Sequence, residues 1–187
     1  MAIFRWNIGL NHVVRKWSEP TDRCANMLIP VPNGRKTGLP GGVLVLAENY
    51  VLYQNRGHPD VRTPIPRRTD LPESRGVLLI ASATLRQKNL FFVLVQSEYG
   101  DLYRVTLVPE GDQIVNLKVK YYDTIPPSKS LCISKTGLLL AASEFGDHCV
   151  YQVQSIGDGD DTVEVRAEQT HCRAQRSVSR ADSYVHC

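Results

Sequence analysis

The chain has 187 residues, of which 42% are hydrophobic and 22% charged, so its composition is that of a folded globular protein and excludes wholesale disorder. Its net charge of +3 is uneven, with 13 Lys and Arg against 7 Asp and Glu in residues 1–100, but it forms no basic stripe typical of nucleic-acid binding. No apolar run reaches the roughly 18 residues that span a bilayer, and the N-terminus lacks the pattern of a secretory signal. We therefore expect no membrane insertion, and five reduced cysteines.

Short apolar runs bounded by Gly, Pro, Asn and Asp recur along the chain, whereas helical periodicity is hard to find. Such runs are typical of strands separated by turns. The sequence predicts strands at residues 10–15, 26–31, 43–47, 50–54, 76–84, 90–96, 102–107, 113–121, 130–133, 138–143 and 149–154. The chain is therefore expected to be all-β.

Three segments share one layout, an apolar strand followed by Glu, a turn and a strand that carries a Tyr. They are VLVLAENYVLY (43–53), FVLVQSEYGDLYRV (92–105) and LLLAASEFGDHCVYQV (138–153). Their glutamates, Glu48, Glu98 and Glu144, lie 50 and 46 residues apart, which is the length of one four-stranded propeller blade. One Glu per repeat favours a role in the turn over a catalytic pair. A β-sandwich with similar hairpins is the alternative.

Three blades do not close a propeller, which takes about four to eight. We therefore predict antiparallel blades of an incomplete β-propeller, an arc of about three blades from a larger ring, over residues 1–157. Residues 158–161 form an acidic loop signal and the apolar alternation fades from Thr162 on, so residues 158–187 are expected to form a disordered tail.

The sequence carries no convincing catalytic or metal motif. His148-Cys149, His171-Cys172 and His186-Cys187 lack the spacing of zinc ligands, and adjacent strand residues point to opposite faces. The segment 33–38 lacks the glycine before lysine of a phosphate loop, and 158–161 lacks the spacing of a calcium loop. We expect no catalytic residues, no metal and no cofactor.

Four arginines are the candidate contact residues: Arg56, Arg62, Arg67 and Arg68. Arg67 and Arg68 follow Pro64-Ile65-Pro66, a pattern that fits either a docking segment or a nucleic-acid contact. An exposed loop between blades is the simpler interpretation, since proline fits poorly inside a sheet.

Several strings resemble the splicing factor 3b subunit 3 family, within the wider family of damaged-DNA-binding protein 1 and the large cleavage and polyadenylation specificity subunit. They are IGLNHVVRKWSEP (8–20), GHPDVRTPIPRR (57–68), SEYGDLYRVTL (97–107), VKYYDTIP (119–126) and KTGLLLAASEFGDHCVYQ (135–152). The resemblance covers about residues 8–157, and it implies part of the first of three propellers. Residues 166–187 resemble nothing in that family.

The resemblance also implies function. It predicts a nuclear, non-catalytic scaffold in pre-mRNA splicing, within the complex of the U2 small nuclear ribonucleoprotein. Its partners would be a HEAT-repeat subunit and small subunits of the same complex, with pre-mRNA or small nuclear RNA contacted indirectly and no membrane. The alternatives are a propeller module that binds nucleic acid directly, an enzyme with a site in a propeller channel, and a truncated product without function.

Overall fold

The computed structural model describes residues 2–153, except 8, 10, 11, 35, 36, 71, 73, 88, 89, 144 and 145, together with residues 169 and 170. Within these residues every regular element is a strand. The strands, in chain order, are β1 (Ala2–Asn7), β2 (His12–Ser18), β3 (Ala25–Pro30), β4 (Asn33–Gly34), β5 (Leu39–Pro40), β6 (Val43–Ala47), β7 (Tyr50–Gln54), β8 (Val61–Pro64), β9 (Leu79–Arg86), β10 (Phe91–Ser97), β11 (Asp101–Glu110), β12 (Gln113–Thr124), β13 (Ser128–Ile133), β14 (Leu138–Ser143), β15 (Cys149–Gln152) and β16 (Gln169–Thr170).

Twelve of these strands form three four-stranded antiparallel sheets, which we call blades. The first blade has the order β3-β6-β7-β8, the second β9-β10-β11-β12 and the third β13-β14-β15-β16. Two smaller pairs, β1-β2 and β4-β5, complete the described strands. In every blade the predicted Glu-turn hairpin supplies the second and third strands, so the repeat in the sequence corresponds to a repeat in structure.

The blades pack face to face. One hydrophobic cluster joins the first and second blades, with Leu46 and Tyr53 on one side and Val93 and Leu117 on the other. A separate cluster joins the second and third blades. Because the second blade is covered on both faces, all seven residues of β10 are buried. This arrangement confirms the predicted arc of propeller blades, and the alternative of one sandwich of two sheets is wrong.

A β-bulge recurs at the first strand of each blade. Asn26, Ile80 and Lys129 are each an extra residue that has no partner in the neighbouring second strand. The bulges lie opposite Ala47, Ser97 and Ser143, the residues that precede the three recurring glutamates in the sequence. The repeat therefore extends to backbone geometry. The three bulged positions hold different residue types, so the sequence alone does not reveal this feature.

The structure also adds strands that the sequence did not predict. They are β1, β4, β5, β8 and β16. The sequence predicts an exposed loop at residues 64–68 and no strand at residues 61–64, yet β8 pairs with β7 along its whole length. Gln169 and Thr170 fall in the predicted tail, and they pair with Tyr151 and Val150 as the last strand of the third blade. The rest of residues 158–187 lies outside the described part.

Candidate interaction surface around the first crossover

The four candidate arginines lie along the chain that leaves the first blade for the second. Arg56 is exposed in the turn between β7 and β8, and Arg62 is in β8. Arg67 and Arg68 are exposed in the crossover, residues 65–78, which connects β8 to β9. The structure thus brings Arg67 and Arg68 to one segment, and it leaves Arg56 in a different turn.

Arg68 is bound by two carboxylates. Its guanidinium donates to both oxygens of Asp70, at 2.9 and 2.7 Å, and to Oδ1 of Asp101 at 3.4 Å. Asp101 begins β11 and is only 2% exposed, so its charge needs a partner inside the protein. Thr124 Oγ1 donates to the same Oδ1 at 2.6 Å, and the hydroxyls of Tyr121 and Thr124 lie 2.8 Å apart. The contact between Arg68 and Asp101 therefore links the crossover to the second blade.

This network shifts the ionisation of its neighbours. The hydrogen bonds from Arg68 lower the pKa of Asp70 below its usual value. Burial, with a smaller contribution from the negative charge of Asp101, raises the pKa of Tyr103 to about 12. Both shifts favour an ionised Asp70 beside Arg68 and a neutral Tyr103 phenol at neutral pH.

Arg67 is used within the crossover itself. Its Nη2 donates to the backbone carbonyl of Pro72 at 3.2 Å and to that of Arg75. Arg75 in turn lies over the ring of Tyr99, with its Cζ 5.5 Å from the ring centroid. Ile65, which is buried, donates its backbone N–H to the carbonyl of Asn49 at 2.9 Å. The crossover is thus closed on itself and attached to both blades.

The guanidinium of Arg62 stacks on an aromatic ring. Its Cζ lies 3.6 Å from the centroid of Tyr50, which is the distance of a cation–π contact. The Tyr50 hydroxyl donates to Oδ2 of Asp22 at 2.7 Å. That hydrogen bond lowers the pKa of Asp22, and burial followed by the same bond raises the pKa of Tyr50. The guanidinium of Arg62 therefore has a defined position on the first blade.

Two amide side chains, the half-buried Asn49 and the buried Gln96, hold the crossovers and were missed in the sequence. Asn49 has a positive φ of 71°, and its Oδ1 accepts the N–H of Val77 at 2.9 Å. Gln96 is fully buried, its Nε2 donates to three backbone carbonyls, and its Oε1 accepts the N–H of Ser128 at 2.9 Å. The available signals were an Asn in the turn of the first hairpin and a Gln near the end of an otherwise apolar strand.

Two of the three predicted turn glutamates, Glu48 and Glu98, are described by the structure, and both lie in turns. The backbone N–H of Glu48 donates to the backbone carbonyl of Cys24 at 3.3 Å, and that of Glu98 donates to the backbone carbonyl of Leu78 at 2.9 Å. Glu144 lies outside the described residues. The described part contains no group of three His, Cys, Asp or Glu side chains that could hold a metal ion. Nor does it contain a helix long and apolar enough to cross a membrane.

Of the three His-Cys pairs, the structure describes only the first. His148 is exposed and Cys149 is half-buried in β15, where its thiol donates to the carbonyl of Asp147 at 3.5 Å. The other two pairs lie outside the described residues, as do Arg35, Lys36 and the acidic loop at 158–161.

Comparison with known proteins gives a consistent family. A family model described as the RSE1/DDB1/CPSF1 first beta-propeller matches residues 1–183. Spliceosome-associated protein 130 A of Arabidopsis thaliana is 55% identical over 161 residues, which cover 86% of this chain and 13% of that protein. Splicing factor 3B subunit 3 of Drosophila melanogaster is 47% identical over 168 residues, which cover 88% of this chain and 13% of that protein.

A fungal protein is similar over the same part of the chain. Pre-mRNA-splicing factor RSE1 of Mycosarcoma maydis is 44% identical over 173 residues, covering 88% of this chain and 14% of that protein. The chain thus spans about one seventh of the length of the curated relatives that it matches.

Proposed function

Since the chain belongs to the RSE1/DDB1/CPSF1 first-propeller family, we propose that it acts as a non-catalytic scaffold segment in pre-mRNA splicing, in the nucleus. The observation that carries the proposal is identity of 44–55% to proteins named as splicing factors or as spliceosome-associated.

The site geometry supports a scaffold more than a reaction centre. Arg67 and Arg68 are bound by groups of the same chain, and Arg62 lies on an aromatic ring. Guanidinium groups with partners in the same chain stabilise the position of the crossover. Their hydrogen-bonding capacity is used without a substrate. The partners that we propose are a HEAT-repeat subunit and small subunits of a splicing factor 3b complex, with RNA contacted through them.

The proposal is tested by affinity purification of the tagged chain from nuclear extract, with and without ribonuclease. We expect splicing factor subunits to be recovered after ribonuclease treatment. A matched pair of variants shows whether recovery needs packed blades: Leu117→Asp, at a buried position, should abolish it, whereas Val115→Asp, at an exposed position of the same strand, should not.

Direct nucleic-acid binding is the competing outcome. It predicts recovery of RNA without protein subunits, an affinity that falls steeply with salt, and a smaller log–log salt slope after Arg56→Gln or Arg62→Gln. That result would refute the scaffold proposal.

A further inference from the structure

The edge of the first blade formed by β3 is open among the described strands and carries no charged residues. Among the described strands, β3 pairs with β6 alone, so its other edge has unpaired backbone groups. The sequence of β3 is ANMLIP, which holds no Lys, Arg, Asp or Glu. The edge strand of the second blade, β12, instead exposes Lys118 and Lys120, the kind of charge that protects an edge from pairing. β3 lacks this protection.

A cavity of about 300 Å³ lies along this edge. Its walls are Thr21, Asp22 and four consecutive residues of β3, namely Ala25, Asn26, Met27 and Leu28. Because successive side chains of a regular strand point to opposite faces, a cavity that touches both Met27 and Leu28, after the bulge at Asn26, lies beside the strand and not over one face. The other side of β3 is filled by β6, so the cavity is at the open edge.

The position of the edge is fixed by hydrogen bonds. The bulged residue Asn26 donates its Nδ2 to the carbonyl of Leu79 at 2.7 Å, which joins β3 to the first strand of the second blade. In the segment before β3, Asp22 accepts from Tyr50 at 2.7 Å and from the N–H of Cys24 at 3.2 Å. An edge held by such hydrogen bonds is preorganised for pairing.

The chemistry of the walls defines what fits. Asp22 is exposed, is the one charged residue that lines the cavity, and is kept ionised by its hydrogen bond from Tyr50, which lowers its pKa. Leu28 is 51% exposed and offers apolar surface next to it. An extended chain that alternates apolar and cationic side chains would match both features and would also satisfy the backbone groups of the edge.

We propose that the open edge of β3 is a docking site for an extended peptide with alternating apolar and basic residues, which binds as an added strand. Main-chain hydrogen bonds to β3 supply affinity, an apolar side chain covers Leu28, and a Lys or Arg side chain pairs with Asp22. This inference goes beyond the proposed role in splicing, because it concerns one edge of the first blade and holds for any partner with such a segment.

The test measures peptide binding to the full chain, captured at low density on a biosensor so that molecules do not contact one another. The probe is a capped hexapeptide of alternating valine and lysine. We expect saturable binding, weakened about tenfold by Asp22→Asn, the loss expected for one charge-assisted contact. The matched control, Glu110→Gln, removes an exposed carboxylate at the end of β11 and should leave binding unchanged.

Two further comparisons separate strand addition from simple charge attraction. The same peptide methylated at every backbone nitrogen, and a peptide of alternating valine and glutamate, should both fail to bind. Leu28→Asn should weaken binding of the lysine peptide, because it removes the apolar surface that a valine side chain covers, at an exposed position where the change does not threaten the fold. No binding of the lysine peptide, or equal binding of the methylated or acidic peptide, would overturn the proposal.

Discussion

At the scale of single residues, the charged groups of the crossover act as structural links. Asp101 is buried at the start of β11, and Arg68 reaches it from a segment 33 positions earlier in the chain. A buried carboxylate is tolerated only when a cation and hydrogen-bond donors accompany it. Arg68 and Thr124 supply both, so the stability of the second blade depends on a residue of the crossover.

Removing Arg68 should therefore destabilise the chain. Arg68→Met leaves Asp101 without its cation, and we expect the melting temperature to fall by about 5 °C. Arg56→Met, at an exposed turn position, should change it by less than about 1 °C. Adding Asp101→Asn to Arg68→Met should recover part of the loss, because the unpaired charge is then gone. Equal melting temperatures for the two single variants would contradict the link.

The stability of the chain should decrease in strong alkali because of Tyr103. Burial raises its pKa to about 12, above the ordinary value near 10. Its contribution is complete below pH 10 and is lost as the pH rises from 10 to 12, because the unfolded state releases the phenolic proton first. Urea unfolding should show a decline of about 2 kcal/mol across that range, reduced in Tyr103→Phe. An identical decline in this variant would assign the effect elsewhere.

At the scale of elements, the hairpin of β11 and β12 connects the first two blades. β11 pairs with β10 only from Leu102 to Val105, whereas it pairs with β12 along its full length. The remainder of the hairpin extends beyond β10 and packs on the first blade, where Ile114 and Leu117 join the cluster that contains Leu39. Thr63 Oγ1 of β8 donates to the carbonyl of Leu117 at 3.1 Å. The hairpin thus covers the outer part of the interface.

A pair of substitutions in β12 tests this role. Leu117 is 2% exposed and Val115, two residues earlier, is 48% exposed. Leu117→Ala should lower the free energy of unfolding by about 2–5 kcal/mol, because it leaves a cavity between the blades. Val115→Ala should change it by less than about 0.5 kcal/mol. Chemical denaturation of both variants provides the measurement, and similar losses would show that the hairpin does not pack on the first blade.

At the scale of the whole molecule, the third blade has an exposed apolar face within the described residues. Leu139 and Ala141 of β14 are buried against the second blade, whereas Leu138 and Leu140 point to the opposite face and are 38% and 45% exposed. Cys132 pairs with Leu140 on that face. In a ring each blade face is covered by a neighbour, so a face left open on a short, uncharged strand favours self-association.

The expressed chain should therefore bind a hydrophobic dye and form soluble oligomers or aggregates. Leu140→Lys should reduce both dye fluorescence and the oligomer fraction several-fold, since a charge on an edge or open face opposes stacking. Val115→Lys, at an exposed position outside that face, should have little effect. Size-exclusion chromatography with light scattering gives the readout, and a monomer that melts sharply and reversibly without dye binding would refute the prediction.

Local pattern determined the strands and the blade repeat. The bounds of β6, β7 and β14 are as predicted, because each is an apolar run closed by turn residues within a few positions. The recurring Glu-turn hairpin likewise predicted one blade per repeat, since the spacing of about 50 residues is a property of the sequence alone. The family followed from strings of the same kind.

Tertiary structure decided how the polar residues are used. The sequence singled out Arg67 and Arg68 as contacts, but it gave no sign that Asp101, 33 residues after Arg68, lies within reach. It likewise did not predict β8, which ends at the first proline of the segment interpreted as a loop and is recognised only by its pairing with β7. Strand propensity and turn chemistry act over a few residues, whereas charge pairing, bulges and edge pairing depend on groups that only the packed blades bring together.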